Sequence, residues 1–241
     1  MKARRIPMKR TWIPNSVTAL SVFLGYLSIM YTFQGYFVTA AWLIVLAGIL
    51  DSMDGKLARK LGGCSKFGSY FDSLADAINY GVAPALLFQR AYFSDWSILG
   101  SVVTFLPIVC SAIRLARFNV LTEEEEHDGF FVGLPTTVAA GFLASFVIFM
   151  NELVKNYGSP TLAAILVAGS SLLMVSAVPY EHNNSIITRH GWKGLLFLLA
   201  LVTLFLFQGR ALFAWVALYV TYGLIRSLLH NFRDLEQRTT I

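Results

Sequence analysis

The chain has 241 residues, 56% hydrophobic and 14% charged, with a formal net charge of +5 and a mean hydropathy of +0.61. A soluble domain carries about 25% charged residues and alternates apolar with polar faces, whereas apolar runs of about twenty residues recur here, each long enough to cross a bilayer as a helix. A soluble globular enzyme is thereby excluded, and the expected class is an all-α integral membrane protein.

In chain order, MKARRIPMKRTWI carries five positive charges and no small-residue cleavage site before the first apolar run. It reads as a basic juxtamembrane segment over 1–15, with Trp12 at headgroup depth, rather than as a signal peptide. About eight spans follow, at 16–33, 36–59, 68–89, 96–117, 132–150, 160–178, 193–208 and 211–229. They make up a membrane-embedded domain over 16–229, with a tail over 230–241. If both termini are cytoplasmic, every one of the 19 Lys and Arg falls on the inner side except Arg90, Lys155 and Arg210. That asymmetry follows the positive-inside rule. The positive charge is then a topology signal, and nucleic acid is not an expected partner. The two cysteines, Cys64 and Cys110, fall toward the reducing side and lack ligand-type neighbours, so each is expected to be a small free side chain. The acidic run from Glu123 to Asp128, with His127, reads as a solvated loop.

The informative stretch is DSMDGKLARKLGGCSKFGSYFDSLADAINYG at 51–81. Asp51 and Asp54 are three apart at the end of the second span. Asp72 and Asp76 are four apart at the start of the third, so each pair shares a helix face. Gly62 and Gly63 suit the helix end and turn between them, which predicts antiparallel neighbours whose four carboxylates face one cleft. Ionised groups in a membrane core are costly, and like charges brought together require positive charge between them. Two divalent cations balance four carboxylates, and oxygen-only ligation favours Mg²⁺ or Mn²⁺ near phosphate. Gly55 and Gly68 each cost a helix about 1 kcal/mol relative to alanine, which suits positions that a ligand or second backbone approaches. Arg59, one turn after Gly55, can reach phosphate oxygens as a planar fork; Ser65 and Lys66 add a hydroxyl and an ammonium nearby.

Asp51-x-x-Asp54-Gly55-x-x-Ala58-Arg59, then eight residues, then Gly68-x-x-x-Asp72-x-x-x-Asp76 resembles the complete signature of the CDP-alcohol phosphotransferases. The resemblance extends over about residues 12–182. It implies a six-helix catalytic core and a di-metal site in which Asp51, Asp54 and Asp72 hold one cation and Asp51, Asp72 and Asp76 the other, with Asp76 as general base. It further implies that Asn15, Thr18, Gly55, Ala58, Arg59, Ser65, Lys66 and Gly68 contact CDP-diacylglycerol. The segments Phe67–Gly68, Asp72–Asp76, Gly81–Ala85, Arg114–Asn119, Gly133–Pro135, Leu173–Ser176 and Pro179–Tyr180 look like the phosphatidylserine synthase branch. L-serine is then the expected acceptor alcohol. Arg114, Arg117 and Asn119 are candidates for its carboxylate, since a zwitterion needs cationic partners. Many members of the family resemble homodimers, and the site is expected at the cytoplasmic face of the inner membrane, among membrane lipid.

Two alternatives stand beside this. Glycerol phosphate or inositol phosphate would use the same chemistry. A divalent-cation transporter would also place acids in spans, although four acids at one end, without Gly/Pro-interrupted segments at midplane, fit transport poorly.

Overall fold

The computed structural model describes residues 8–61, 65–123, 133–155, 158–176, 178 and 209–225, with backbone only for 8–11, 58–59, 61, 97 and 122–123. The described secondary structure is helical throughout: α1 (Met8–Phe33), α2 (Phe37–Leu61), α3 (Lys66–Asp76), a π segment (Ala77–Val82), α4 (Ala83–Tyr92), α5 (Ser97–Glu123), α6 (Thr136–Val154), α7 (Pro160–Val175) and α8 (Gly209–Ile225). In lipid a span must satisfy its own backbone, which a helix does. Among the described residues, four helices (α1, α2, α5 and α6) are both long and apolar enough to cross a membrane, and α7 and α8 are shorter apolar helices.

The third expected span is present as a continuous helical path through α3, the π segment and α4, with right-handed helical dihedrals at the joining residues Asp76, Ala77, Val82 and Ala83. Its hydrogen-bonding changes midway, which the apolar pattern did not predict. The span expected at 193–208, the turn residues Gly62, Gly63 and Cys64, and the acidic run beyond Glu123 lie outside the described residues. Cys110 is a free buried cysteine, as expected.

The apolar faces point two ways. Leu20, Phe23 and Phe33 of α1, and Leu99, Val102, Phe105 and Ile113 of α5, are exposed, as suits side chains that face lipid. Inside, Ala40, Ala41 and Ile44 of α2 pack with Leu87 and Phe88 of α4, Leu143, Ala144 and Val147 of α6 and Val167 of α7. Small residues let the backbones approach: the Ser28 hydroxyl of α1 donates to the Ala40 carbonyl of α2 at 2.9 Å, the kind of close crossing that holds membrane helices together.

The ends of the bundle differ in chemistry. At one end α6 and α8 are tied by Glu152, whose Oε1 accepts from the Gly209 N–H at 3.2 Å and whose backbone carbonyl accepts from Arg210 at 3.3 Å. The start of α6 lies at the other end, where the Leu134 N–H donates to the Leu173 carbonyl of α7 at 2.9 Å. The start of α1, the last turns of α2 and the start of α3 also gather at one end. There α3 rests on α1, while the contact between the second and third spans is made farther along, by the π segment and α4. The carboxylate-bearing ends of α2 and α3 therefore face each other across a cleft backed by α1.

Candidate metal centre

Asp51, Asp72 and Asp76 meet in that cleft. Each offers a carboxylate oxygen, and the three oxygens all lie within 4.8 Å of one another. The Asp51 and Asp76 carboxyl groups are in hydrogen-bond contact. Asp72 Oδ1 and Asp76 Oδ1 are buried without a hydrogen-bond partner among the described residues. Two unit charges 4.8 Å apart repel by about 3.5 kcal/mol at an effective dielectric of about 20, so the trio needs positive charge, either a shared proton or a cation.

A divalent cation fits. All donors are oxygens, the set that suits Mg²⁺ or Mn²⁺. Ligand oxygens about 2.1 Å from one Mg²⁺ span at most about 4.2 Å, so a trio within 4.8 Å needs little closure. The orphaned Asp72 and Asp76 oxygens are the lone pairs such an ion would satisfy.

Asp54 stands beside the trio rather than in it. It is 4% exposed, and its Oδ2 accepts from Thr18 Oγ1 at 2.7 Å. The Pro14 carbonyl also lies 3.1 Å from that hydroxyl, but a hydroxyl has one proton, and the shorter, charge-assisted bond takes it.

The start of α1 thus reaches the acids, and it reaches α3 as well. Ser65 caps α3, its hydroxyl accepting from the Gly68 N–H at 3.0 Å, as N-cap serines do. A Cβ on Gly68 would lie 3.2 Å from both Asn15 Oδ1 and Ser65 Oγ. Asn15, Ser65 and Gly68 therefore form one polar corner, and the glycine leaves room for it. Gly55 is the reverse case: a Cβ there would meet nothing within 4 Å. Among the described residues, no neighbouring helix demands that glycine. Lys66 is exposed at the first turn of α3. The side chains of Ala58 and Arg59 lie outside the described set, although both sit on α2 one turn beyond Gly55.

A family model for CDP-alcohol phosphatidyltransferases matches residues 11–178. The chain belongs to the CDP-alcohol phosphatidyltransferase family. Among curated relatives, the CDP-diacylglycerol–serine O-phosphatidyltransferase of Helicobacter pylori (strain ATCC 700392 / 26695) is 40% identical over 224 residues, covering 89% of this chain and 90% of the relative. The enzyme of the same name from Mycobacterium leprae (strain TN) is 32% identical over 229 residues, covering 92% and 76%. The archaetidylserine synthase of Methanothermobacter thermautotrophicus is 37% identical over 170 residues, covering 70% and 69%.

In this CDP-alcohol phosphatidyltransferase the three residues expected to hold the acceptor separate. Arg114 of α5 is half-buried and acts electrostatically on Asp76 and on Tyr219 of α8. Its Nε is buried without a partner among the described residues. Arg117 is exposed. Asn119 is engaged within the fold, its Oδ1 accepting from Ser73 Oγ at 3.0 Å.

Two residues at this site escaped the sequence analysis. Ser73 sits between the two α3 aspartates and ties α3 to α5. Tyr80, in the π segment, is fully buried and lies within the field of all four aspartates. Spacing alone carried no signal for Tyr80, because its place beside the acids depends on the π segment.

Proposed function

We propose that this membrane enzyme transfers the phosphatidyl group of CDP-diacylglycerol to the hydroxyl of L-serine, giving phosphatidylserine and CMP. The observation that carries the chemistry is the convergence of Asp51, Asp72 and Asp76 within 4.8 Å, with buried carboxylate oxygens that no described residue satisfies. The choice of serine draws on the relatives, whose names share serine while differing in phosphatidyl and archaetidyl groups.

Asp51, Asp54, Asp72 and Asp76 would hold two divalent cations, Mg²⁺ or Mn²⁺, which neutralise the diphosphate and the departing CMP. The residues do the rest by position and charge, as phosphoryl transfers require. Thr18 steadies the Asp54 carboxylate from α1. The Asn15–Ser65–Gly68 corner and the open face of Gly55 receive the nucleotide side of the donor, and Arg59 and Lys66 are assigned to its phosphates by the family resemblance. Asp76 accepts the proton of the serine hydroxyl as that oxygen attacks the lipid-bearing phosphorus. Arg114 lies beside Asp76, where its guanidinium favours the charged carboxylate and can pair with the carboxylate of serine.

The distribution of Lys and Arg supports a cytoplasm-facing site with both termini inside, and the membrane is taken to be the inner one. A homodimer completes the proposal by family resemblance. The deciding experiment supplies purified protein with CDP-diacylglycerol, Mn²⁺ and one acceptor at a time. Labelled serine should enter lipid and CMP should appear; product with glycerol phosphate or inositol phosphate and none with serine would overturn the acceptor. Metal-independent CMP release would overturn the metal centre.

A further inference from the structure

Immediately after Asp76 the third span leaves α-helical bonding for the π segment Ala77–Val82. That segment carries Tyr80, 1% exposed, whose hydroxyl has no hydrogen-bond partner among the described residues. A buried hydroxyl without a partner is a cost to the fold, and one on a packed ring is easily avoided by phenylalanine.

The location of the hydroxyl accounts for it. A Cβ on Gly48 would lie 3.9 Å from the phenol oxygen, so the oxygen reaches α2 about one turn before Asp51. The tighter neighbour of that Cβ is Thr137 Cγ2 of α6 at 3.3 Å. The fields of Asp51, Asp76, Asp54 and Asp72 all act on it, that of Asp51 most strongly.

The π segment is what aims the ring there. Four residues of α-helix overshoot a full turn by about 40°. An α-helical path from Asp72 through Asp76 to Tyr80 would therefore drift about 80° and carry the phenol away from the acids. The wider i→i+5 bonding takes up an extra residue per turn and returns Tyr80 toward the helix face of Asp72 and Asp76. Two close approaches grip the segment: a Cβ on Gly25 of α1 would run into Asn79, and a Cβ on Gly81 would run into Ser111 of α5.

We propose that Tyr80 is a positioning residue of the metal centre, its hydroxyl donating to the Asp51 carboxylate when divalent cations are bound and so fixing that ligand's orientation. The inference rests on the metal-centre reading above. Ligating carboxylates are themselves held by hydrogen bonds, and removing such a partner weakens metal affinity by about 10–100-fold.

The test is Tyr80→Phe, which keeps the ring and deletes the oxygen. Mn²⁺ affinity of the detergent-purified protein is read by the electron paramagnetic resonance of free Mn²⁺, and the thermal midpoint is read in chelator. Mn²⁺ should bind about tenfold more weakly to the variant, while its midpoint in chelator stays equal or rises, because an unsatisfied buried group is gone. Unchanged affinity would overturn the proposal. So would a lower midpoint in chelator, since the hydroxyl would then be bonded within the metal-free bundle. Parent protein that binds no Mn²⁺ would remove the metal centre itself, whereas parent binding with an unaltered variant removes only the role of Tyr80.

Discussion

Replacing Asp72 by asparagine should move stability in opposite directions with and without metal. Asp72 shares the 4.8 Å cluster with two other carboxylates, so full ionisation would cost it about 7 kcal/mol at an effective dielectric of about 20. That cost has a ceiling. A carboxyl group can instead take up a proton, which at pH 7 costs about 4 kcal/mol from an ordinary pKa near 3.9. Asparagine, neutral and nearly isosteric, should therefore relieve about 2–4 kcal/mol in the metal-free protein. At about 2–4 °C per kcal/mol for a chain of this size, the midpoint in chelator should rise by about 4–16 °C. With Mn²⁺ at about 100 times its Kd the parent gains about 2.7 kcal/mol, and the variant, lacking a ligand shared by both ions, should gain little. Thermal unfolding in detergent, with EDTA and then with Mn²⁺, reads both. A variant less stable than the parent in EDTA, or one that Mn²⁺ stabilises as much as the parent, would refute the electrostatic reasoning.

Three further outcomes are expected. Asp76→Asn should lower kcat by about 10²–10⁴-fold, the usual worth of a general base, while calorimetry with Mn²⁺ finds CDP-diacylglycerol binding little changed; equal loss of both would make ligation its main task. Gly55→Ala should stabilise α2 by up to about 1 kcal/mol, because nothing lies within 4 Å of the added methyl, yet raise the KM for CDP-diacylglycerol at least tenfold; an unchanged KM would mean that no ligand comes close. Thr18→Val removes the 2.7 Å bond to buried Asp54 and should cost about 1.5–3 kcal/mol, read as a lower thermal midpoint in EDTA; an unchanged midpoint would show that bond to be dispensable.

What the sequence disclosed was local. Spacings of three and four residues put Asp51 with Asp54 and Asp72 with Asp76, and helix geometry did the rest. Span positions were legible because lipid demands long apolar runs. The π segment was not legible: its apolar pattern continues without interruption, and the grip on it comes from Gly25 meeting Asn79 and from Gly81 meeting Ser111, contacts distant in sequence. The same limit applies to the bond between Thr18 and Asp54, thirty-six residues apart. Asn119 was a candidate acceptor ligand beside Arg114 and Arg117, and its bond to Ser73, forty-six residues earlier, was not readable from spacing. The convergence of acids from the second and third spans in one cleft was expected from the spacing, whereas the support of α3 by α1 depends on contacts distant in sequence.

The polar machinery occupies a single end of the bundle, and the exchange it is proposed to perform swaps one headgroup for another on the same pair of acyl chains. Each turnover then leaves the number of lipids in that leaflet as it was. The membrane can change its surface chemistry without adding lipid to one side, so no lipid has to cross over to restore the count.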